Sequence, residues 1–113
     1  MSKIRVLVVE PGKMPEDREI ESHIDPIKTI VGGWIEMISL GRNSTQETFA
    51  LYCNEEALRL GIPFNRNVRG HSILGTFLIT KIDSSGDEIS LSDEDVVNFT
   101  AELANNNNRN DIN

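Results

Sequence analysis

The sequence predicts an α+β fold: a single small domain in which two or three short helices pack against a mostly antiparallel sheet. Three observations predict it. Short runs of apolar and β-branched residues recur along the 113 residues, clusters of Gly, Pro, Asn and Asp separate them, and two segments carry apolar residues at helical spacing. Residues 1–104 are predicted to form this domain, and the Asn-rich residues 105–113 to be a disordered tail.

The N-terminal segment is predicted to be a buried strand. In residues 3–9 the apolar side chains point to both faces, so the strand is expected in the middle of the sheet with both faces covered. Two prolines and a glycine in residues 10–17 predict a loop. Residues 18–20 are then predicted to form a short edge strand.

A helix is predicted next, with Ser22 or Asp25 as its N-cap. Pro26 is tolerated because it falls in the first turn. Gly32-Gly33 is expected to end the helix by taking up the left-handed conformation. The apolar residues at helical spacing are Ile24, Ile27, Ile30 and Val31.

The middle of the chain predicts a β-hairpin and then a long strand. Residues 34–40 and 47–53 are the two strands of the hairpin, joined by a polar turn. Residues 54–61 are predicted to form a short helical turn. A polar loop at residues 64–72 then leads into the longest predicted strand, residues 73–82.

The last third predicts a polar turn, a short strand at residues 88–91 and a final helix. Ser92 and Asp95 form a pair like a capping box at the start of this helix. The acidic residues there complement the positive end of the helix dipole. The stripe predicted to be buried is Val96, Phe99 and Leu103.

Charge and cysteine content limit the classes of function. A net charge of −7 argues against non-specific binding to nucleic acid and against binding to anionic membranes. No apolar stretch approaches the ~20 residues that span a bilayer, and the N-terminus lacks the features of a signal peptide. Cys53 is the only cysteine, which excludes an internal disulfide, so the cytoplasm of a host cell is the expected compartment.

A cationic segment stands out in this acidic chain. Residues 57–82 contain four basic residues, while all 18 Asp and Glu residues lie outside them. Arginine forks, amides and a flexible glycine are typical of a pocket for a small anionic molecule. The predicted ligand-binding residues are Asn65, Arg66, Asn67, Arg69 and His71, with Lys13 reaching an anion from its loop and Trp34 supplying a stacking surface.

Two other interpretations of these residues stay open. The arginines could pair with nearby carboxylates such as Glu55 and Glu56, which would make the segment an ordinary polar loop. Trp34 could be an anchor of the hydrophobic core.

Six short motifs in series, VVEPGK, REI, IVGGWIE, YCNEE followed by LGIPFNR, ILGTFLI and SLSDED, resemble domain-of-unknown-function family 3846, a family of small phage and mobile-element proteins. The chain departs from the family pattern where Ala57 and Leu58 stand in place of a glycine and a lysine. The resemblance implies a phage-like origin. It implies no chemistry, and it carries no catalytic residues over to this chain.

The residue patterns predict no metal site, no cofactor and no catalytic residues. Cys53, His23 and His71 lie far apart in the sequence and lack the spacing of zinc ligands. Cys53 alternates with Phe49 and Leu51, so it is expected to be a small buried apolar residue.

The favoured hypothesis is a non-enzymatic binding protein of phage-like origin. It would act in counter-defence by sequestering a small anionic nucleotide signal, such as a cyclic nucleotide or an ADP-ribose derivative. The protein could do this as a homo-oligomer. One alternative is an acidic inhibitor that mimics nucleic acid and binds a host defence protein through the carboxylates of residues 83–95. A second alternative is an unrecognised nucleotide hydrolase.

Overall fold

The computed structural model describes residues 3–104, which form eight strands and two helices. In chain order these are β1 Lys3–Val9, β2 Glu16–Glu21, α1 Ile24–Val31, β3 Ile35–Arg42, β4 Thr48–Asn54, β5 Phe64–Val68, β6 His71–Leu74, β7 Phe77–Ile82, β8 Glu88–Ile89 and α2 Asp93–Ala104. The tail predicted at residues 105–113 lies outside the described residues. Neither helix of the described range is long and apolar enough to cross a membrane.

The strands pair antiparallel throughout the described range, which confirms the predicted α+β fold with a mostly antiparallel sheet. Five strands of the main sheet lie in the order β2-β1-β7-β4-β3, and β8 pairs with β7. Strands β5 and β6 form a separate two-stranded sheet. β2 and β3 are therefore the two edges of the main sheet.

Both faces of the main sheet are covered, which gives the domain three layers. α1 packs on one face, where buried residues of β1, β2 and β7 meet it. On the other face, α2 and the β5–β6 hairpin cover a larger cluster of buried apolar residues. β1 contributes to both clusters, which confirms the predicted central strand with two apolar faces.

Helix α1 confirms the predicted helix, but its N-cap is neither Ser22 nor Asp25. The cap is His23, whose ring Nδ1 accepts a hydrogen bond from the backbone N–H of Asp25 at 3.4 Å. The usual preference for serine and aspartate at this position therefore misidentified the cap. Gly32 ends the helix in the left-handed conformation, as predicted.

The predicted β3–β4 hairpin is confirmed, with hydrogen bonds between Asn43 and Glu47 closing its turn. The register between the strands shifts between Ser39 and Arg42, which marks a bulge in β3. After β4, residues 55–61 form successive hydrogen-bonded turns, where the sequence predicts a short helical turn at residues 54–61.

Residues 64–72, predicted to be a polar loop, form most of the β5–β6 hairpin instead. Its tip is Arg69-Gly70, where φ is positive at both residues (49° and 90°), as in a type I′ turn. Arginine rarely takes a positive φ, so composition does not reveal this turn. Val68 and Ile73, on either side of the tip, are buried against the main sheet.

Gly75 divides the single long strand predicted for residues 73–82 into β6 and β7. Its φ is +78°, and a Cβ atom added to it would lie 2.7 Å from Cγ2 of Ile62. The chain can turn here only because this residue has no side chain.

Helix α2 confirms the predicted capping box, and of the predicted stripe Leu103 is buried and Val96 is partly buried. The Asp95 N–H donates to Ser92 Oγ at 3.0 Å, and the Ser92 N–H donates to Asp95 Oδ2 at 2.9 Å. Phe99 is buried against the sheet. Asp95 also accepts a hydrogen bond from the ammonium of Lys81 at 2.7 Å, which ties α2 to β7.

The pair between Lys81 and Asp95 should make part of the stability depend on pH. Burial raises the pKa of Asp95, but the hydrogen bonds from Lys81 and Ser92 lower it by more than burial raises it. The pKa of Asp95 in the folded protein therefore lies below its ordinary value. A carboxyl with a depressed folded pKa stabilises the fold above its unfolded pKa of about 3.9, and this contribution is lost as the pH falls through the folded pKa. We expect Asp95→Asn to lower the free energy of unfolding by about 2 kcal/mol at neutral pH.

Urea unfolding at neutral and strongly acidic pH tests this prediction. The difference between the wild type and Asp95→Asn should shrink at acidic pH, where the wild-type carboxyl is also neutral. Glu94→Gln is a matched control, because Glu94 is exposed in the same helical turn and makes no contact with Lys81 in the described ion pairs. A difference that does not change with pH would contradict the assigned role of the ion pair.

Candidate functional site

Arg66, which the sequence predicts as a ligand contact, is an interior residue with 1% of its surface exposed. Its Nε donates to Oδ1 of Asn65 at 2.8 Å, and Nη1 donates to the backbone carbonyl of Leu103 at 2.6 Å. Nη2 donates to the carbonyls of Lys13 at 2.7 Å and Glu10 at 3.3 Å. Every nitrogen of the guanidinium is thus bonded inside the protein.

The buried guanidinium has no carboxylate partner among the described ion pairs, so other groups must offset its charge. Leu103 lies in the last turn of α2, where the helix dipole is negative and the carbonyls lack helical partners. That turn contains no basic residue of its own, and Arg66 supplies the positive charge from β5. Burial lowers the pKa of Arg66, but a guanidinium stays protonated at physiological pH.

Asn65 is buried beside Arg66 and holds the backbone in place. Its side-chain amide donates to the carbonyls of Val9 at 2.9 Å and Gly75 at 2.7 Å. Asn65 and Arg66 are therefore structural residues, which corrects their predicted role in ligand binding: neither has a free polar group facing solvent.

Arg69 is also held within the fold. Its Nε and Nη2 make a two-pronged ion pair with Glu102 at 2.9 and 2.8 Å, and Nη1 donates to the carbonyl of Leu40 at 2.7 Å. The guanidinium lies 4.9 Å from the ring centre of Phe99. The hydrogen bonds that Arg69 donates to Glu102 raise the pKa of Arg69. The ion pairing that the sequence left open is thus present, with Glu102 rather than Glu55 or Glu56.

The four remaining predicted residues do not form one site. Lys13 pairs with Glu10 at 3.2 Å. Trp34 is 61% exposed, so it is not a core anchor, and the ammonium of Lys28 lies 4.1 Å from its ring centre. Asn67 accepts a hydrogen bond from Ser72 on the adjacent strand. His71 is exposed and lines a cleft, and it is the predicted residue that we carry forward.

The cleft beside His71, called here the β3–β6 cleft, lies between the β3–β4 hairpin, the turns at residues 54–61 and strand β6. Its volume is about 540 Å³, within the usual range for small-ligand sites. None of the described residues that line it is a lysine or an arginine. The apolar residues lining it include Ile38, Cys53, Ala57 and Ile73, and the exposed polar residues are Glu36, Glu55, His71 and Ser72.

The edge strand β3 and the turn after β4 position the two carboxylates of the cleft, Glu36 and Glu55. Glu36 is on edge strand β3, opposite Cys53 of β4. Glu55 directly follows β4, and its N–H donates to the carbonyl of Trp34 at 2.8 Å. The preceding residue, Asn54, is buried and bonds the carbonyl of Val31 and the N–H of Glu56, so the turn that presents Glu55 is fixed at its start.

Cys53 confirms the prediction of a small buried apolar residue. Its Sγ is 3.8 Å from the carbonyl oxygen of Glu36. Burial and the nearby charge of Glu36 raise the pKa of the Cys53 thiol to about 11, so the thiol stays protonated at neutral pH and is a weak nucleophile. Within residues 3–104, no group of three or more His, Cys, Asp and Glu side chains is arranged to hold a metal ion.

Sequence reasoning missed Glu36 and Glu55 as site residues. They stand 19 positions apart in the sequence, and the β5–β6 hairpin that closes the cleft over them was not predicted. The local signal available was the alternation of β3, which sends Glu36 and Ile38 to the same face.

Comparison with known proteins matches the chain to a family. The model of the family described as "Domain of unknown function (DUF3846)" matches residues 4–104, which is most of the chain. No curated protein and no solved structure matches the chain.

Proposed function

We propose that this chain, which belongs to the DUF3846 family, is a non-enzymatic binding protein whose ligand occupies the β3–β6 cleft. The observation that carries the proposal is the composition of the cleft: an apolar lining with a few polar groups at its exposed side, as in typical ligand sites. The thiol of Cys53, whose pKa burial raises, is a weak nucleophile, which supports binding rather than catalysis by this residue.

The charge of the cleft favours a ligand with an apolar body and a cationic group. Glu36 and Glu55 both line it, without a lysine or arginine among its described lining residues. A carboxylate binds an ammonium or guanidinium through charge-assisted hydrogen bonds, whereas it repels a phosphate. This charge supports the alternative of a protein-interaction inhibitor, because the basic side chains of a partner would fit the same cleft.

Calorimetric and thermal-shift titrations with tryptamine, an aromatic amine, test this proposal. We expect tryptamine to raise the melting temperature, because a ligand of the folded state stabilises it. The double substitution Glu36→Gln and Glu55→Gln should weaken binding by about tenfold or more. Glu19→Gln, on the opposite edge strand β2, is the matched control and should leave affinity unchanged. An absence of binding, or equal weakening by the control, would refute the cationic-ligand site.

A second candidate is capture of a small anionic nucleotide in phage counter-defence, by a monomer or a homo-oligomer. His71 at the cleft favours it, because the imidazole and the adjacent Gly70 backbone are the groups there that could bind a phosphate. Titration with a cyclic dinucleotide and with ADP-ribose separates the two candidates. Binding of either nucleotide that His71→Ala abolishes would establish the second candidate, and turnover by substoichiometric protein would indicate a hydrolase instead.

A further inference from the structure

Strand β3 is an edge of the main sheet that offers apolar side chains to solvent. It pairs with β4 on one side, and no other strand of the described residues pairs with its opposite side. Met37, near its middle, is 51% exposed. The other edge strand, β2, reads EDREIE, and such a charged sequence discourages further strand pairing. β3 is therefore the edge that is suited to receive another strand.

Two depressions flank β3, one on each face of the sheet. Glu36 and Ile38 line the β3–β6 cleft on the face that α2 covers. Ile35 and Met37 line a second depression, of about 390 Å³, on the face that α1 covers. Because successive residues of a strand point to opposite faces, β3 contributes alternately to the two depressions.

The two depressions differ in chemistry. The second one is mainly apolar, and Ile24 and Ile27 of α1 complete it. Its polar end is Tyr52, whose hydroxyl donates to the carboxylate of Glu88. The β3–β6 cleft holds the carboxylates of Glu36 and Glu55 instead. A strand laid along β3 would meet an apolar surface on one face and an acidic one on the other.

We propose that β3 binds an extended segment of a partner protein as an additional strand, with apolar side chains entering the α1-side depression and basic side chains entering the β3–β6 cleft. Main-chain hydrogen bonds to the free edge would supply affinity, and the alternating side chains would supply specificity. The proposal rests on the binding function proposed above and names its partner class.

The free edge is short. The bulge between Ser39 and Arg42 interrupts the strand, and Arg69 already bonds the carbonyl of Leu40. Pairing is therefore confined to residues 35–39, and a short linear segment is enough to fill it. The net charge of −7 adds long-range attraction for a basic segment.

The test uses a short fluorescein-labelled peptide in which valine and lysine alternate, titrated by fluorescence anisotropy into the full chain. Two controls are a peptide of the same composition with the valines and lysines in separate blocks, and the alternating peptide with N-methylated backbone amides. We expect both controls to bind at least about tenfold more weakly, because they lose the alternation or the ladder hydrogen bonds. Equal binding of all three peptides would overturn strand addition.

A matched pair of protein variants locates the peptide. Met37→Lys places a charge in the α1-side depression and should weaken binding by about tenfold or more. Val97→Lys makes the same change of charge on α2, where Val97 is 66% exposed, and should leave binding nearly unchanged. Hydrogen exchange should slow at the amides of residues 35–39 when the alternating peptide is added. Equal effects of the two variants, or unchanged exchange, would overturn the proposal.

The experiments also separate this inference from the proposed function. If tryptamine binding depends on Glu36 and Glu55 but peptide binding does not depend on Met37, the cleft is a ligand site and the strand-addition proposal fails. If neither probe binds, both fail. Sedimentation tests whether β3 pairs with a second copy of the chain instead. A dimer that Met37→Lys dissociates would show such pairing and would overturn the peptide proposal.

Discussion

Replacing Arg66 by alanine is expected to lower the free energy of unfolding by about 4 to 6 kcal/mol, because the buried and partly buried oxygens that accept its hydrogen bonds would lose their donor at a cost of about 1 to 3 kcal/mol each. The carbonyls of Lys13 and Leu103, at 2.7 and 2.6 Å from the guanidinium, are the closest of these acceptors. The loss is comparable with the low end of the stability of an ordinary domain, about 5 to 15 kcal/mol. We therefore expect a marginally stable protein at room temperature.

Urea unfolding followed by circular dichroism measures this effect. Arg66→Met keeps much of the side-chain volume without the donors, so comparing it with Arg66→Ala separates the lost hydrogen bonds from the cavity. Arg59→Ala is the control, because Arg59 is exposed and makes a surface ion pair with Glu56. Its effect should stay within about 0.5 kcal/mol. If Arg66→Met were as stable as the wild type, the hydrogen-bond network could not have the role assigned to it.

Gly75→Ala is expected to destabilise the fold by about 3 kcal/mol. Part of this, about 1 to 2 kcal/mol, is the cost of a non-glycine residue in the left-handed region, since φ is +78°. The remainder comes from the new Cβ atom, 2.7 Å from Cγ2 of Ile62, which forces that side chain to move. The carbonyl of Gly75 also accepts a hydrogen bond from Asn65, so a shift here would disturb the partner of Arg66.

Two variants separate these contributions. Gly86→Ala makes the same change at φ +91°, where no atom lies within 4 Å of the added Cβ, so it measures the backbone strain alone. Ile62→Ala removes the atom in contact, and in that background Gly75→Ala should cost about as much as Gly86→Ala. Chemical denaturation of the single and double variants gives the coupling energy directly. Equal penalties for Gly75→Ala and Gly86→Ala in the wild-type background would rule out the steric contribution.

The elements that the sequence predicted well are those that local patterns determine. The two apolar faces of β1 and the Ser92 and Asp95 capping pair each follow from neighbouring residues, and the structure has both. The β5–β6 hairpin was missed because its tip uses Arg69 at a positive φ, where Asn or Gly is the usual signal. The break at Gly75 was missed because apolar residues continue on both sides of it.

The candidate site was harder to predict than the fold, because the partners of its charged groups come from distant segments. Arg66 looked like a ligand contact because its neighbours in sequence are polar. Its acceptors at Glu10 and Leu103 are 56 and 37 positions away. The same limit applies to the β3–β6 cleft, whose carboxylates and histidine meet only after the hairpin docks on the sheet.

The contacts of Arg66 also bear on how the protein is made. A ribosome releases the N-terminal part first, so the carbonyls of Glu10 and Lys13 are available before Arg66 emerges, whereas that of Leu103 follows 37 positions after it. Until then the guanidinium lacks its closest acceptor, and enclosing it would leave a charge poorly compensated. Folding of this domain during translation should therefore stay incomplete until α2 has left the exit tunnel.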